Sequence, residues 1–410
     1  MSRYTGIRAI LAFFITIAVP AVAQPLGTVD QWIAEALTNN ATLGAQKTAI
    51  EAAKAGVDGS GTWADPVLKY GIAPETLEGP NTVGHRFEVS QKLPWPDQLK
   101  ASRMAAEAGV LAARQDTQWR TRQLTASVKE AYAHWWYANE AIELHHESHA
   151  LVEQLATVTE QRLSYGVGSQ SQILRVRTEL DTLDARLVEL KADQSGLAAK
   201  LIPLLGRRPT TSSPQLSPPR RTPLMADGVV GLDHPLVQAA EAREAEARAQ
   251  LDVAEANRRP TFTASAGYNS LWADDSKRWV VGIGVQIPLS GQRQGSAVRK
   301  AAAEVSRQQW QTTQAQRDLR ASTGDMKAAI LAGYDRLDIL DERHIPNQRA
   351  HWEASLNELA SGTGRLEEAI NSARQVTGVK LTRAAVIRDL YSARARYEAL
   401  LPMQTTGVSN

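Results

Sequence analysis

The sequence predicts a mainly helical chain built from two structural repeats. Each repeat joins a long α-helical hairpin to a β-hairpin whose strands have the length needed to span a membrane. Three observations carry this expectation. Matching residues recur at a near-constant offset: Leu43 and Leu236 are 193 positions apart, while Pro66/Pro260 and Pro94/Pro288 are both 194 apart. Tracts rich in Ala, Gln, Glu, Arg and Leu, a composition typical of extended helix, run far past ordinary helix length. Between them lie four short segments of strand-like alternation. The expected repeats cover residues 24–206 and 231–401, with a Pro-rich linker at 207–230 and a polar tail at 402–410.

Residues 1–23 read as a cleaved secretory signal. Arg3 and Arg8 supply the positive start, Ala9 to Val19 the apolar stretch, and Ala21-Val22-Ala23 a small-x-small cleavage site. The apolar run is shorter than the about 20 residues that a spanning helix needs. Position 24 is Gln and the chain has no Cys, which excludes a lipid on an N-terminal Cys, disulfides and thiolate metal sites. No later segment approaches 18 consecutive apolar residues, so membrane contact has to come from strands or an amphipathic surface. The net charge is +2 with both signs interspersed, which argues against a nucleic-acid partner.

The helices follow from periodicity and breakers. A helix is expected over Thr28–Asp58. From Asp97 to Ser164 there is no Pro, Gly occurs only at Gly109, and Leu124, Val128, Ala131, Trp135, Ala138 and Ile142 recur in steps of three and four. That predicts one helix on the order of 100 Å long at 1.5 Å per residue. A loop at 165–169 precedes a return helix over Gln170–Gly206, ended by Gly206-Arg207-Arg208-Pro209. The second repeat predicts helices over Asp233–Asn257, Gln292–Ala360 and Arg365–Leu401, with Pro346 kinking the long one or opening a turn. In each repeat the first and return helices stacked end to end nearly match the long helix beside them.

The strands are expected to pair Trp63–Ala73 with Val83–Leu93 (hairpin 63–93) and Pro260–Leu271 with Arg278–Leu289 (hairpin 260–289). Val281 to Ile287 alternates cleanly. The first hairpin alternates less well, with Phe87, Val89 and Gln91 on one face and Arg86, Glu88 and Ser90 on the other. Trp63, Tyr70, Trp95, Tyr268, Trp272 and Trp279 lie at or near strand ends, where an interfacial aromatic belt would stand. A soluble antiparallel sheet shows the same alternation. Four strands cannot close a membrane barrel, whose minimum is about eight, and open edges are not tolerated in lipid. Strands that span a membrane therefore require several chains to share one barrel.

The two repeats, their hairpins, and the glycine turns Tyr165-Gly166-Val167-Gly168 and Ser361-Gly362-Thr363-Gly364 together resemble the TolC-like outer membrane factors, the exit ducts of bacterial tripartite efflux and type I secretion. The resemblance implies a homotrimer with a twelve-stranded outer-membrane barrel above a periplasmic α-helical tunnel. Its partners would be a periplasmic adaptor and an inner-membrane pump of the RND type, with no enzyme activity and no cofactor. Ser90-Gln91-Lys92-Leu93-Pro94-Trp95-Pro96 is similar to the strand-to-helix joint of the heavy-metal subgroup, implying metal cations as cargo. Asp97-Gln98 stands where that subgroup usually has Gly and a basic residue. Alternative readings are a peptide secretion duct and a periplasmic coiled-coil tether without a pore.

Two candidate sites follow. Arg365, Glu367 and Glu368 come directly after Gly364, where the family's periplasmic aperture closes. A ring of such carboxylates would select cations, and a solvated charge cluster favoured by the helix dipole is the plain alternative. The turn residues Gly166, Gly168, Gly362 and Gly364 would dock the adaptor. Separately, His145, His149 and Glu153 share a helix face at i, i+4, i+8, a weak candidate for Zn²⁺ or Cu²⁺ against an ordinary exposed face.

Overall fold

A computed structural model describes residues 28–73, 84–206, 216, 218–221, 224, 233–270, 272, 275–288 and 291–402. The expected signal segment, most of the linker and most of the tail lie outside the described residues.

The longest element, α3 (Pro96–Ser164), is one unbroken helix of 69 residues; the first-half helices preceding it are α1 (Val29–Asn39) and α2 (Ala41–Gly59). Pro96 suits the first position because its missing N–H has no intrahelical partner there, and the Trp95 N–H donates to the Gln98 side chain at 3.2 Å. The return helix α4 (Gln170–Leu205) ends at Gly206, whose φ of +79° is the left-handed stop that the sequence announces. The second half contributes α5 (Pro235–Ala256), α6 (Gly291–Ile339), α7 (Ile345–Ser361) and α8 (Leu366–Leu400). A π-turn at Leu340–His344 separates α6 from α7. Pro346 causes it: the proline ring would press on the carbonyl of Glu342, and widening the helix relieves that contact.

The core is a string of clusters along the bundle. Near the turns, Val152 and Leu155 of α3, Val176 and Leu183 of α4, Trp352 and Leu359 of α7, and Leu366 and Ile370 of α8 pack together. Further along, Trp136 and Leu144 meet Leu337, Leu340 and Ile387. The described residues of the linker are strapped to α6, with Arg221 paired to Asp335 at 2.7 Å and Asp338 at 2.8 Å.

The expected single helix Thr28–Asp58 is instead two. Asn40 adopts an extended backbone and its side chain accepts from the Leu43 N–H at 3.1 Å, capping α2. The same side chain donates from Nδ2 to the carbonyls of Pro203 and Leu204, each at 3.4 Å, at the end of α4. The break is thus the joint at which α4 meets the N-terminal helices. An equivalent joint stands 194 positions on, at His234. Its Nδ1 accepts from the Leu236 N–H at 3.1 Å and its Nε2 donates to the Ala399 carbonyl at 2.9 Å, at the end of α8. Arg122 of α3 donates to the carbonyl of Leu401, two residues further on, at 2.6 Å.

The strands are β1 (Val67–Ala73), β2 (Gly84–Leu93), β3 (Thr261–Asn269) and β4 (Trp279–Gln286); β1 and β3 start later than expected, directly after Pro66 and Pro260, which cannot donate to a ladder, and the expected ends at Val83, Leu271 and Leu289 lie outside the described residues. Both hairpins form, and β2 also pairs with β3, giving one antiparallel sheet in the order β1-β2-β3-β4. The sheet is fastened to the helices where the strands enter them. Trp95 Nε1 donates to the Pro260 carbonyl at 2.6 Å, Gln98 Nε2 to the Ala256 carbonyl at 3.0 Å, and Arg259 pairs with Asp97 at 2.5 Å.

His234 is fully buried, edge-on to Trp119, and burial pushes its imidazole below the ordinary histidine value. Its neutral form is built in, because Nδ1 must accept. A depressed folded-state value means that stability is present above the unfolded value of about 6.5 and falls as pH drops below it. His234→Ala is expected to cost about 1–2 kcal/mol and to remove that acid-side dependence, as read from thermal melts at pH 5 and 8.

Candidate functional site

Two regions carry the features of a conduit: the sheet at one end of the bundle and the glycine turns at the other.

Residues paired across antiparallel strands lie on the same face, so the register sorts the sheet without ambiguity. One face carries Leu68, Tyr70 and Ile72, then His85, Phe87, Val89, Gln91 and Leu93, then Phe262, Ala264, Ala266 and Tyr268, then Trp279, Val281, Ile283 and Val285, apolar but for His85 and Gln91. The opposite face carries Lys69, Arg86, Glu88, Ser90, Lys92, Thr261, Thr263, Ser265, Asn269 and Gln286 with Gly71, Ala73, Gly84, Gly267, Gly282 and Gly284, and its apolar members are Val67 and Val280. The apolar face is bare: Val281 is 85% and Ile283 79% exposed within the single chain. Rings cluster at both ends of that face, Tyr70 on Phe87 and Tyr268 on Trp279 at one, Trp95 on Phe262 at the other. Apolar outside, polar or small inside, with aromatic girdles, is the pattern of a lipid-facing sheet.

At the far end the two turns are built alike. After α3, the N–H groups of Val167 and Gly168 both donate to the Arg162 carbonyl, at 3.0 and 3.1 Å; after α7, those of Thr363 and Gly364 both donate to the Glu358 carbonyl, at 3.0 and 2.8 Å. Gly166 and Gly362 have φ of +73° and +89°, a conformation that L side chains avoid. Gly168 and Gly364 are required for a different reason. A Cβ there would come within 2.9 Å of the Leu163 nitrogen and 2.8 Å of the Glu358 Cβ. Arg162 reaches across from the first turn to donate to the Leu359 carbonyl of the second. The exposed residues differ, with Tyr165 and Val167 at one turn and Ser361 and Thr363 at the other.

The predicted gate residues stand beside these turns, each held by a partner. Glu367 pairs with Arg175 of α4 at 3.1 Å and lies 3.9 Å from Arg365, while Glu368 pairs with His351 of α7 at 3.2 Å. One turn deeper, Arg374 of α8 grips the Glu179 carboxylate of α4 with two hydrogen bonds, and that carboxylate is only 7% exposed. Arg175, Glu179, His351 and Arg374 were not singled out from the sequence. The only local signal was the four-residue spacing of Arg175 and Glu179, which puts both on one helix face.

The three-ligand histidine face does not assemble. His145 is buried, with Nδ1 on the Ala141 carbonyl at 2.8 Å, so its ring serves its own helix. His149 instead lies between Glu153 at 3.4 Å and Asp184 at 3.6 Å. Among the described residues, no group of three His, Asp or Glu is placed to hold a metal ion. No helix among them is long and apolar enough to cross a membrane.

A helical bundle ending in tight glycine turns, crowned by an amphipathic sheet, defines a TolC-like outer membrane factor. The outer membrane efflux protein family matches residues 32–207 and 232–401, and the chain belongs to that family. The outer-membrane channel OprN has the same fold, with a TM-score of 0.77 at 20% identity over 91% of this chain and 89% of that one. So does CusC, with a TM-score of 0.79 at 16% identity over 93% and 96%. Protein CyaE of Bordetella pertussis is 29% identical over 248 residues, 56% of this chain; the match spans about half of that relative's length, 49%.

Gly362→Ala places a side chain in left-handed backbone and is expected to cost about 1–2 kcal/mol; Gly364→Ala, which must move backbone, is expected to cost more. Amide hydrogen exchange over 355–366 should accelerate in both variants while exchange over 125–145 is unaltered.

Proposed function

We propose that this chain is the exit duct of a tripartite efflux system, conducting substrates passively from an inner-membrane pump and a periplasmic adaptor across the outer membrane. One observation carries the reading. The sheet exposes a wide apolar face, and its outer strands β1 and β4 pair with no further strand among the described residues. In lipid such edges have to be closed, and copies of this chain joined β4 to β1 would close them. The family's trimer supplies twelve strands, and the helices below become the tunnel wall. The matching joints at Asn40 and His234 and the matching turns support the reading of residues 24–206 and 231–401 as two repeats. Residues 1–23 would then direct export through the Sec pathway.

The turns at Gly166 and Gly362 form the periplasmic aperture and the docking surface for the adaptor. Opening separates helix ends that are tied by Arg175–Glu367, His351–Glu368 and the Arg162 bridge. The exposed pairs are individually weak, on the order of 0–1 kcal/mol each, so an adaptor has little to overcome at each one. The driving energy comes from the pump. Heavy-metal cations are the cargo that the Pro94-Trp95-Pro96 joint suggests.

The detergent-extracted protein is expected to run as a trimer and to give small conductance steps in planar bilayers. Glu367→Ala with Glu368→Ala is expected to widen them. A pore of unaltered conductance in the double variant would remove these residues from the gate. A protein that purifies without detergent and never conducts would favour the tether.

A further inference from the structure

We propose that the barrel interior of the duct is an anion-selective exit lined by Lys69, Arg86 and Lys92. The inference rests on the duct reading, because it needs the apolar face of the sheet to meet lipid. Once that face points outward, the register leaves no choice about the other: Lys69, Arg86, Glu88 and Lys92 all point into the lumen. These are three cations and one carboxylate in each chain. Glu88 is engaged from both sides, by Lys69 at 3.6 Å and Arg86 at 3.3 Å. Lys92 has no carboxylate within ion-pair distance among the described residues. The positive excess is therefore not neutralised locally, and every added copy repeats it around the ring.

The neighbouring strands leave this charge uncovered. On the same face β3 and β4 present Gly267, Gly282 and Gly284 with Thr263 and Ser265, none of which reaches across the lumen or adds charge. Cations mounted on a low-dielectric wall focus their field into the aqueous space, and a Debye length of about 8 Å at physiological salt is comparable to a narrow lumen. A ring of Lys and Arg is the side-chain arrangement of anion pores. A solute with a carboxylate, phosphate or sulfonate, or a metal ion carried in an anionic complex, would pass this exit more readily than a bare divalent cation.

The test measures reversal potentials under a KCl gradient in planar bilayers, with the Glu367→Ala, Glu368→Ala variant as background so that the aperture carboxylates do not set the selectivity. Chloride is expected to be more permeant than potassium there. Adding Lys69→Gln, Arg86→Gln and Lys92→Gln should lower the chloride-to-potassium permeability ratio by about twofold or more. Lys92→Gln alone leaves no orphaned carboxylate and should shift the ratio in the same direction by less, which covers the case of a triple variant that fails to assemble. Potassium preference in the background, or a ratio that the substitutions leave unchanged while the pore still conducts, would overturn the anion exit and leave the duct standing. Absence of conductance in every form would overturn both.

Discussion

The architecture depends on two joints where a short polar side chain does two jobs at once. A helix nearly 70 residues long needs a partner of equal length along its whole face, and no single helix supplies one. The partner is assembled from two helices meeting end to end, which leaves free carbonyls at one terminus and free N–H groups at the other. Asn40 and His234 satisfy both, capping the helix they begin and donating to the last carbonyls of the helix that arrives. Without them the seam beside α3 would contain a gap in backbone hydrogen bonding.

From those joints the bundle extends in both directions, and each end is held differently. Toward the sheet, Trp95, Gln98 and Arg259 clamp the entry of the strands, so the sheet's tilt and facing are inherited from the helices. Toward the turns, the core of Trp352, Leu359 and Leu366 is joined at the surface by ion pairs and one arginine bridge. Apolar packing carries the body of the bundle; exposed ion pairs, which solvent weakens, tie its end.

The glycines of the turns and of the sheet show one residue used for three physical purposes. Gly166 and Gly362 supply a left-handed backbone, Gly168 and Gly364 allow close approach of the preceding turn, and Gly282 and Gly284 keep one face of a strand low. Substituting any pair would be felt differently: as strain, as displacement, or as a bulkier strand face.

Features set within a few residues were legible from the sequence alone. The 3.6-residue recurrence along α3, the stops at Gly206 and Gly362, the disturbance at Pro346 and the two-faced alternation of Val281–Ile287 all depend on near neighbours, so the amino-acid order determines them. Tertiary structure decided what joins distant segments: the break at Asn40, whose partner carbonyls lie more than 160 residues away; the pairing of β2 with β3, which makes one sheet of two hairpins; the inward turn of His145; and the ties of Glu367 to Arg175 and Glu179 to Arg374. Periodicity states which face of a helix or strand is apolar, but packing alone determines which other face it meets.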